Sequence, residues 1–194
     1  MDINALLDFL HAAEKLKCAT RHCDTTSGRR ESVAEHSFRL AMMAELVRCE
    51  YPELDMDKVV KMCVFHDLGE AVTGDIPAFL KNDSDREIES DAVDSLIRIL
   101  GEPEYSELKS LFSEMEALET SEAKLYKSLD KLEALIQHNE ADISGWLPGE
   151  YDLQLTYGEK ECAFSTFTKQ LRDRVRNDSI AKISAEKKKL HESP

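Results

Sequence analysis

The sequence predicts an all-α protein, a bundle of helices joined by short loops. Only 7 Gly and 5 Pro occur in 194 residues, which leaves long stretches with nothing to interrupt a helix. Apolar residues recur at intervals of three and four along most of the chain. Ser32-Val33-Ala34-Glu35 has the pattern of a capping box, Ser at the cap and Glu three residues on, which marks a helix start.

The elements follow in order. Leu6, Leu7, Phe9, Leu10 and Ala13 give an apolar face to a first helix ending near Lys17. Residues 18–30 read as polar and irregular, with the basic pairs Arg21-His22 and Arg29-Arg30. The capping box starts a second helix near Val33, with His36 in its first turn and Leu40, Met43 and Val47 at helical spacing. Tyr51-Pro52 ends it, and Asp55 or Asp57 caps a third helix that runs through Val59, Met62 and Val64 to His66-Asp67. Gly74-Asp75-Ile76-Pro77 is a loop, punctuated on both sides. A fourth helix fits residues 87–100 and stops at Gly101-Glu102-Pro103. Leu108, Leu111, Phe112, Met115 and Leu118 continue the helical period, and residues 125–138 do so again with Leu129, Leu132, Leu135 and Ile136. Residues 139–158 are looser. A last helical region begins near Lys160, and its charged end, 182–194, is expected to fray.

Length and composition bound the function. One domain is the default at this length, and 42% hydrophobic with 33% charged residues suits a soluble globular chain rather than a disordered one. No apolar run approaches the ~18–20 residues of a membrane-spanning helix, and Met1-Asp2-Ile3-Asn4 does not begin a signal peptide. Five cysteines without a C-x-x-C pair suggest reduced thiols rather than a zinc ribbon or disulfide framework. A cytoplasmic location follows as the expectation. A net charge of −14 argues against nucleic acid as a partner. It leaves room for a small anionic substrate, because a metal ion and an arginine or two make a pocket locally positive.

The chemistry centres on His66-Asp67, with His36 thirty residues before the pair and Asp130 sixty-three after it. Adjacent His and Asp cannot face the same way along one helix, yet both reach a metal if the helix bends or ends there. A further imidazole and carboxylate from other helices complete a nitrogen–oxygen site suited to a divalent transition metal. Any one of these residues alone is more often an ordinary core or surface group. Three separate helices presenting them in apolar surroundings favour the site over scattered, hydrogen-bonded polar residues.

Glu35-His36-Ser37, His66-Asp67-Leu68-Gly69-Glu70, Gly74-Asp75-Ile76-Pro77 and Leu129-Asp130-Lys131-Leu132-Glu133 together resemble the HD-domain metal-dependent phosphohydrolases. More narrowly they are similar to the branch with the bacterial 5′-deoxynucleotidase and its eukaryotic relatives. The resemblance implies an HD-domain helical bundle, its core at about residues 17–138, with a C-terminal helical extension at 139–194. It implies one divalent ion (Mn, Co, Fe, Ni, Zn or Mg) bound by His36, His66, Asp67 and Asp130. Glu70 matches the catalytic acid, and Asp75 a loop aspartate near the sugar and the reacting water. Arg21 matches a phosphate-binding arginine. His22 stands where the family has a tryptophan near the sugar, and borders the pocket. Arg39 recurs in some relatives and completes the substrate-binding set with Arg21, His22 and Asp75. The implied activity is hydrolysis of (deoxy)nucleoside 5′-monophosphates by a homodimer. Another small phosphate ester, a nucleotide di- or triphosphate, or a non-catalytic sensor role are the alternatives.

Overall fold

The computed structural model describes residues 1–77 and 80–192. Local chemistry sets where its helices begin. Asp2 caps α1 (Ile3–Ala13), which a 3-10 turn extends over Glu14–Lys17. The capping box forms in both directions. Ser32 Oγ accepts from the Glu35 amide, and the Glu35 carboxylate accepts from the Ser32 amide, opening α2 (Val33–Leu46). Asp55 is the cap that takes the Lys58 amide at the start of α3 (Met56–Phe65). A single turn, α4 (Glu70–Thr73), ends at Gly74 with φ 72°.

Helix α5 (Asp83–Arg98) begins four residues earlier than the apolar spacing indicates, because Asn82 and Asp85 form a second capping box. α6 (Glu104–Ala117) and α7 (Ser121–Glu140) are separated by Leu118 in the left-handed conformation and by the Thr120 cap.

Three expectations are corrected. Residues 18–30 are not irregular: β1 (Thr20–Asp24) pairs antiparallel with β2 (Arg30–Ser32). The turn between them closes with the Thr25 amide donating to the Arg29 carbonyl at 2.7 Å and with Gly28 at φ 78°. A two-stranded ribbon is marginal alone. Here the Gln137 side chain ties it down, donating to the Asp24 carbonyl at 2.9 Å. Residues 139–158, read as loose, contain a 3-10 turn (Ile143–Gly145) and α8 (Glu150–Thr156). The short α9 (Glu159–Cys162) follows, and α10 (Thr166–Glu192) stays helical through most of the segment expected to fray. Ser193 and Pro194 lie outside the described residues.

The core lies where α2, α3 and α7 pack together. Leu40, Ala44, Val59, Met62, Cys63, Leu125, Leu129 and Leu132 are fully buried there. Burying each larger side chain stabilises the fold by roughly 1.5–3 kcal/mol relative to leaving it in water. The same three helices carry His36, the His66-Asp67 turn and Asp130, so the polar cluster is held by the best-packed part of the molecule.

Gly69 fixes the segment after that turn. A Cβ there would lie 2.9 Å from the Glu89 carbonyl oxygen and 3.1 Å from Val93 Cγ2, both on α5. Gly69→Ala is therefore expected to destabilise the fold by about 1–3 kcal/mol, lowering the urea midpoint. A midpoint equal to the wild type's would show that α5 shifts without cost.

Candidate functional site

Helix α3 ends at Phe65, and His66 and Asp67 occupy the turn that follows, where the Leu68 amide donates to the Phe65 carbonyl at 3.0 Å. Leaving the helix lets adjacent side chains reach one point. His36 Nε2 lies 3.2 Å from His66 Nε2, 3.3 Å from Asp130 Oδ1 and 3.9 Å from Asp67 Oδ2. His66 Nε2 lies 3.0 Å from Asp67 Oδ2 and 3.8 Å from Asp130 Oδ1. The separations among His36, His66 and Asp67 suit donors arranged about one centre at ~2.0–2.2 Å from each, and Asp130 borders that centre from α7.

The protonation of these groups sharpens the point. His66 Nδ1 is 2.9 Å from the Cys63 carbonyl oxygen, which can only accept, so that nitrogen carries the proton. His36 Nδ1 meets the Glu133 carboxylate in the same way. In the neutral rings both Nε2 atoms are then bare lone pairs, facing each other and two carboxylate oxygens. Asp67 and Asp130 stay ionised. Burial opposes this, but His66, His36 and Arg21 lower the first, and Lys127, Lys131 and His36 hold the second well below the carboxylate range.

These convergent lone pairs demand positive charge. Burial and the Arg21 guanidinium lower the pKa of His36, yet Asp130 and Glu133 outweigh them and raise it to about 9. A divalent cation meets the same demand, and imidazole and carboxylate groups are donors that suit one.

A cavity opens beside the cluster, lined by Arg21, His22, Asp67, Glu70, Asp75 and Asp130 among others. Glu70 is buried with one oxygen lacking a hydrogen-bond partner. Burial, then Asp67, Asp75 and Glu89, raise its pKa to about 9, which favours the protonated form. Burial also raises Asp75. Arg21 on β1 sits with Nε 3.3 Å from Glu31 and Nη1 3.6 Å from Asp67. Its charge is held, against burial, by Asp67 and Asp75.

Arg39 lies elsewhere. It is not among the residues lining the cavity, and its Nη1 donates to Gln137 at 2.9 Å and to Glu140 at 2.6 Å, with Nε 3.4 Å from Glu133. In this arrangement it braces Glu133 from behind. Three residues that support the cluster escaped the sequence reading. Glu133 is fully buried among leucines, a signal in itself, since a buried carboxylate needs a partner. Lys127 donates to Asp130 Oδ2 at 2.8 Å, and Lys131 to the Tyr157 hydroxyl at 2.7 Å. Both also face the cavity.

A model of the HD domain family matches residues 13–172, and the chain belongs to that family. Among individual proteins it is 32% identical over 149 residues to the 5′-deoxynucleotidase HDDC2 of Homo sapiens, covering 75% of this chain and 72% of that one. It is 31% identical over 165 residues to the 5′-deoxynucleotidase hdd1 of Schizosaccharomyces pombe, covering 80% and 81%. The crystal structure of a predicted metal-dependent phosphohydrolase from Magnetospirillum magnetotacticum matches with a TM-score of 0.78 at 26% identity, over 93% of this chain and 96% of that one. A fold of this family implies a divalent metal, and the cluster offers the groups to hold it.

Glu133→Gln removes the charge that orients His36 and leaves the carboxamide in its volume. The expected result is about 10–100-fold weaker binding of Mn or Co by calorimetry. Undiminished affinity would mean that the imidazole is oriented without Glu133.

Proposed function

We propose that the protein is a metal-dependent phosphomonoesterase that hydrolyses nucleoside 5′-monophosphates, deoxynucleotides included, to nucleoside and phosphate. The observation that carries this reading is the meeting of His36, His66 and Asp67, with Asp130 beside them, at one end of a cavity that also presents a guanidinium and a buried carboxyl group. The names of the human and yeast relatives supply the substrate class.

His36 Nε2, His66 Nε2 and one oxygen each of Asp67 and Asp130 would hold the cation, of which Mn, Co, Fe, Ni, Zn and Mg are the candidates. When bound, such an ion polarises a phosphoryl oxygen and lowers the pKa of water towards neutrality. Arg21 grips phosphate oxygens in a two-pronged fork, its contact with Asp67 long enough to leave donors over. Lys127 and Lys131 add positive charge on the α7 side, where negative charge gathers as the ester bond breaks. Glu70, protonated, gives its proton to the departing sugar alkoxide. Asp75 accepts from a sugar hydroxyl or from water. His22 borders the nucleoside. Residues 1–194 work as a single unit, in a cytoplasmic setting that keeps the five free thiols reduced.

The test is phosphate release from a panel of ribo- and deoxynucleoside monophosphates, with metal stripped and then restored. Glu70→Gln is expected to cut kcat by about 10²–10⁴-fold while metal content stays the same. Unchanged turnover in that variant would remove Glu70 from the chemistry.

The proposal includes a homodimer. Phe38, Met42 and Leu46, at 68%, 46% and 79% exposure, form an apolar stripe along one face of α2, and a partner copy would cover it. Light scattering should report a dimer for the wild type and monomers for Leu46→Lys. A monomeric wild type would rule the dimer out.

A further inference from the structure

Lys127, Asp130, Lys131, Ala134, Leu135 and His138 all line the cavity. Their spacing marks one face of α7, so the cavity is a trough along that helix. From Asp130 to His138 the helix rises about 12 Å. The near end is built from the candidate metal ligands and cations.

The far end is chemically different. Glu150, the first residue of α8 and 4% exposed, holds its carboxylate between two imidazoles. Oε1 lies 2.6 Å from His22 Nε2, and Oε2 lies 3.5 Å from His138 Nε2. The arrangement is braced from behind. The Leu147 amide donates to Glu150 Oε2 at 2.6 Å. Trp146 packs on the His138 ring at 4.5 Å, and its indole N–H donates to the His138 carbonyl at 3.2 Å. Burial lowers the pKa of His138, although the Glu150 carboxylate acts in the opposite direction.

We propose that the His22–Glu150–His138 wall is the subsite for the nucleoside half of the substrate, and that it recognises hydrogen-bond donors there, a sugar hydroxyl or a base amine. The inference rests on the phosphomonoesterase reading, which puts the phosphate at the Asp130 end. A nucleoside monophosphate is long enough to reach from that end to the wall, whereas the ester of a short alcohol stops before it. A carboxylate accepts and never donates. An occupant that turns O–H or N–H groups to the wall is therefore favoured over one that presents carbonyl oxygens. His22, the most open of the three, makes the first contact, and Glu150 orients its ring.

The experiment measures calorimetric affinity of the Mn-loaded protein for nucleoside 5′-phosphonates, in which a methylene replaces the ester oxygen, against methylphosphonate. In Glu150→Gln the preference for adenosine phosphonate over methylphosphonate is expected to fall about tenfold, as for one hydrogen bond to a charged group. His22→Leu, substituted from the open side, should lower the same ratio. Comparing adenosine, 2′-deoxyadenosine and thymidine phosphonates separates the donors. A loss confined to the riboside identifies the sugar hydroxyl, and a loss shared by both adenine compounds but absent from thymidine identifies the amine. An unchanged ratio in both variants overturns the proposal. So does a second equivalent of metal in the wild type that Glu150→Gln loses, since the three donor atoms lie within 4.8 Å of one another. Failure of the wild type to release phosphate from any nucleotide would instead count against the phosphomonoesterase reading, because the affinity ratio needs no turnover.

Discussion

Glu133 is the residue on which the site depends. It is a carboxylate with no exposed surface, placed on the inner face of α7, and it grips the ring of His36 across the bundle. That contact decides which nitrogen of His36 carries a proton, and so whether the other is a lone pair at the centre of the cluster. The negative charge is held in turn from the outside by Arg39, which bridges to Glu140 and Gln137 on the same helix. Glu31 lies close enough to feel it: burial and the Glu133 charge raise its pKa to about 7, although Arg21 acts in the opposite direction. A buried carboxylate of this kind adds little net stability and contributes a defined geometry instead.

The framework for this geometry is the α2–α3–α7 core. His36 enters at the start of α2, where the Ser32–Glu35 capping box sets the helix phase. His66 and Asp67 enter where α3 stops, and Asp130 projects from the middle of α7. Each side chain is thus carried by an element whose position is set by close apolar packing, and the cluster inherits that precision. Glu70 follows by one turn, held near the cluster by the close approach of Gly69 to α5.

Much of this was legible in the chain itself. Helix starts were readable where a capping residue and apolar spacing agreed, as at Ser32 and Asp55, and misplaced where caps alone decided, as at Asn82. The hairpin escaped notice because its strands are short and polar, with no alternation for a core face to impose. Helix α8 was hidden between glycines and a proline. The four candidate ligands stood out because ionisable groups in apolar helices are rare. Lys127 and Lys131 did not, since charges on an amphipathic helix look alike until its neighbours are known. Arg39, three residues from His36, shares that helix face, but its long side chain turns to α7. The contact between His22 and Glu150 joins residues 128 positions apart and leaves no local trace.

The trough along α7 divides the molecule's labour between parts that differ in how freely they can change. Its inner end is made from the helices that form the core, so substitutions there disturb folding and chemistry together. Its outer end is made by a small hairpin and a two-turn helix that contribute few side chains to that core. A lineage could therefore exchange the residues at positions 22 and 150 while leaving the bundle intact, acquiring new substrates around an unaltered reaction. On this architecture selectivity is the evolvable property and hydrolysis the inherited one.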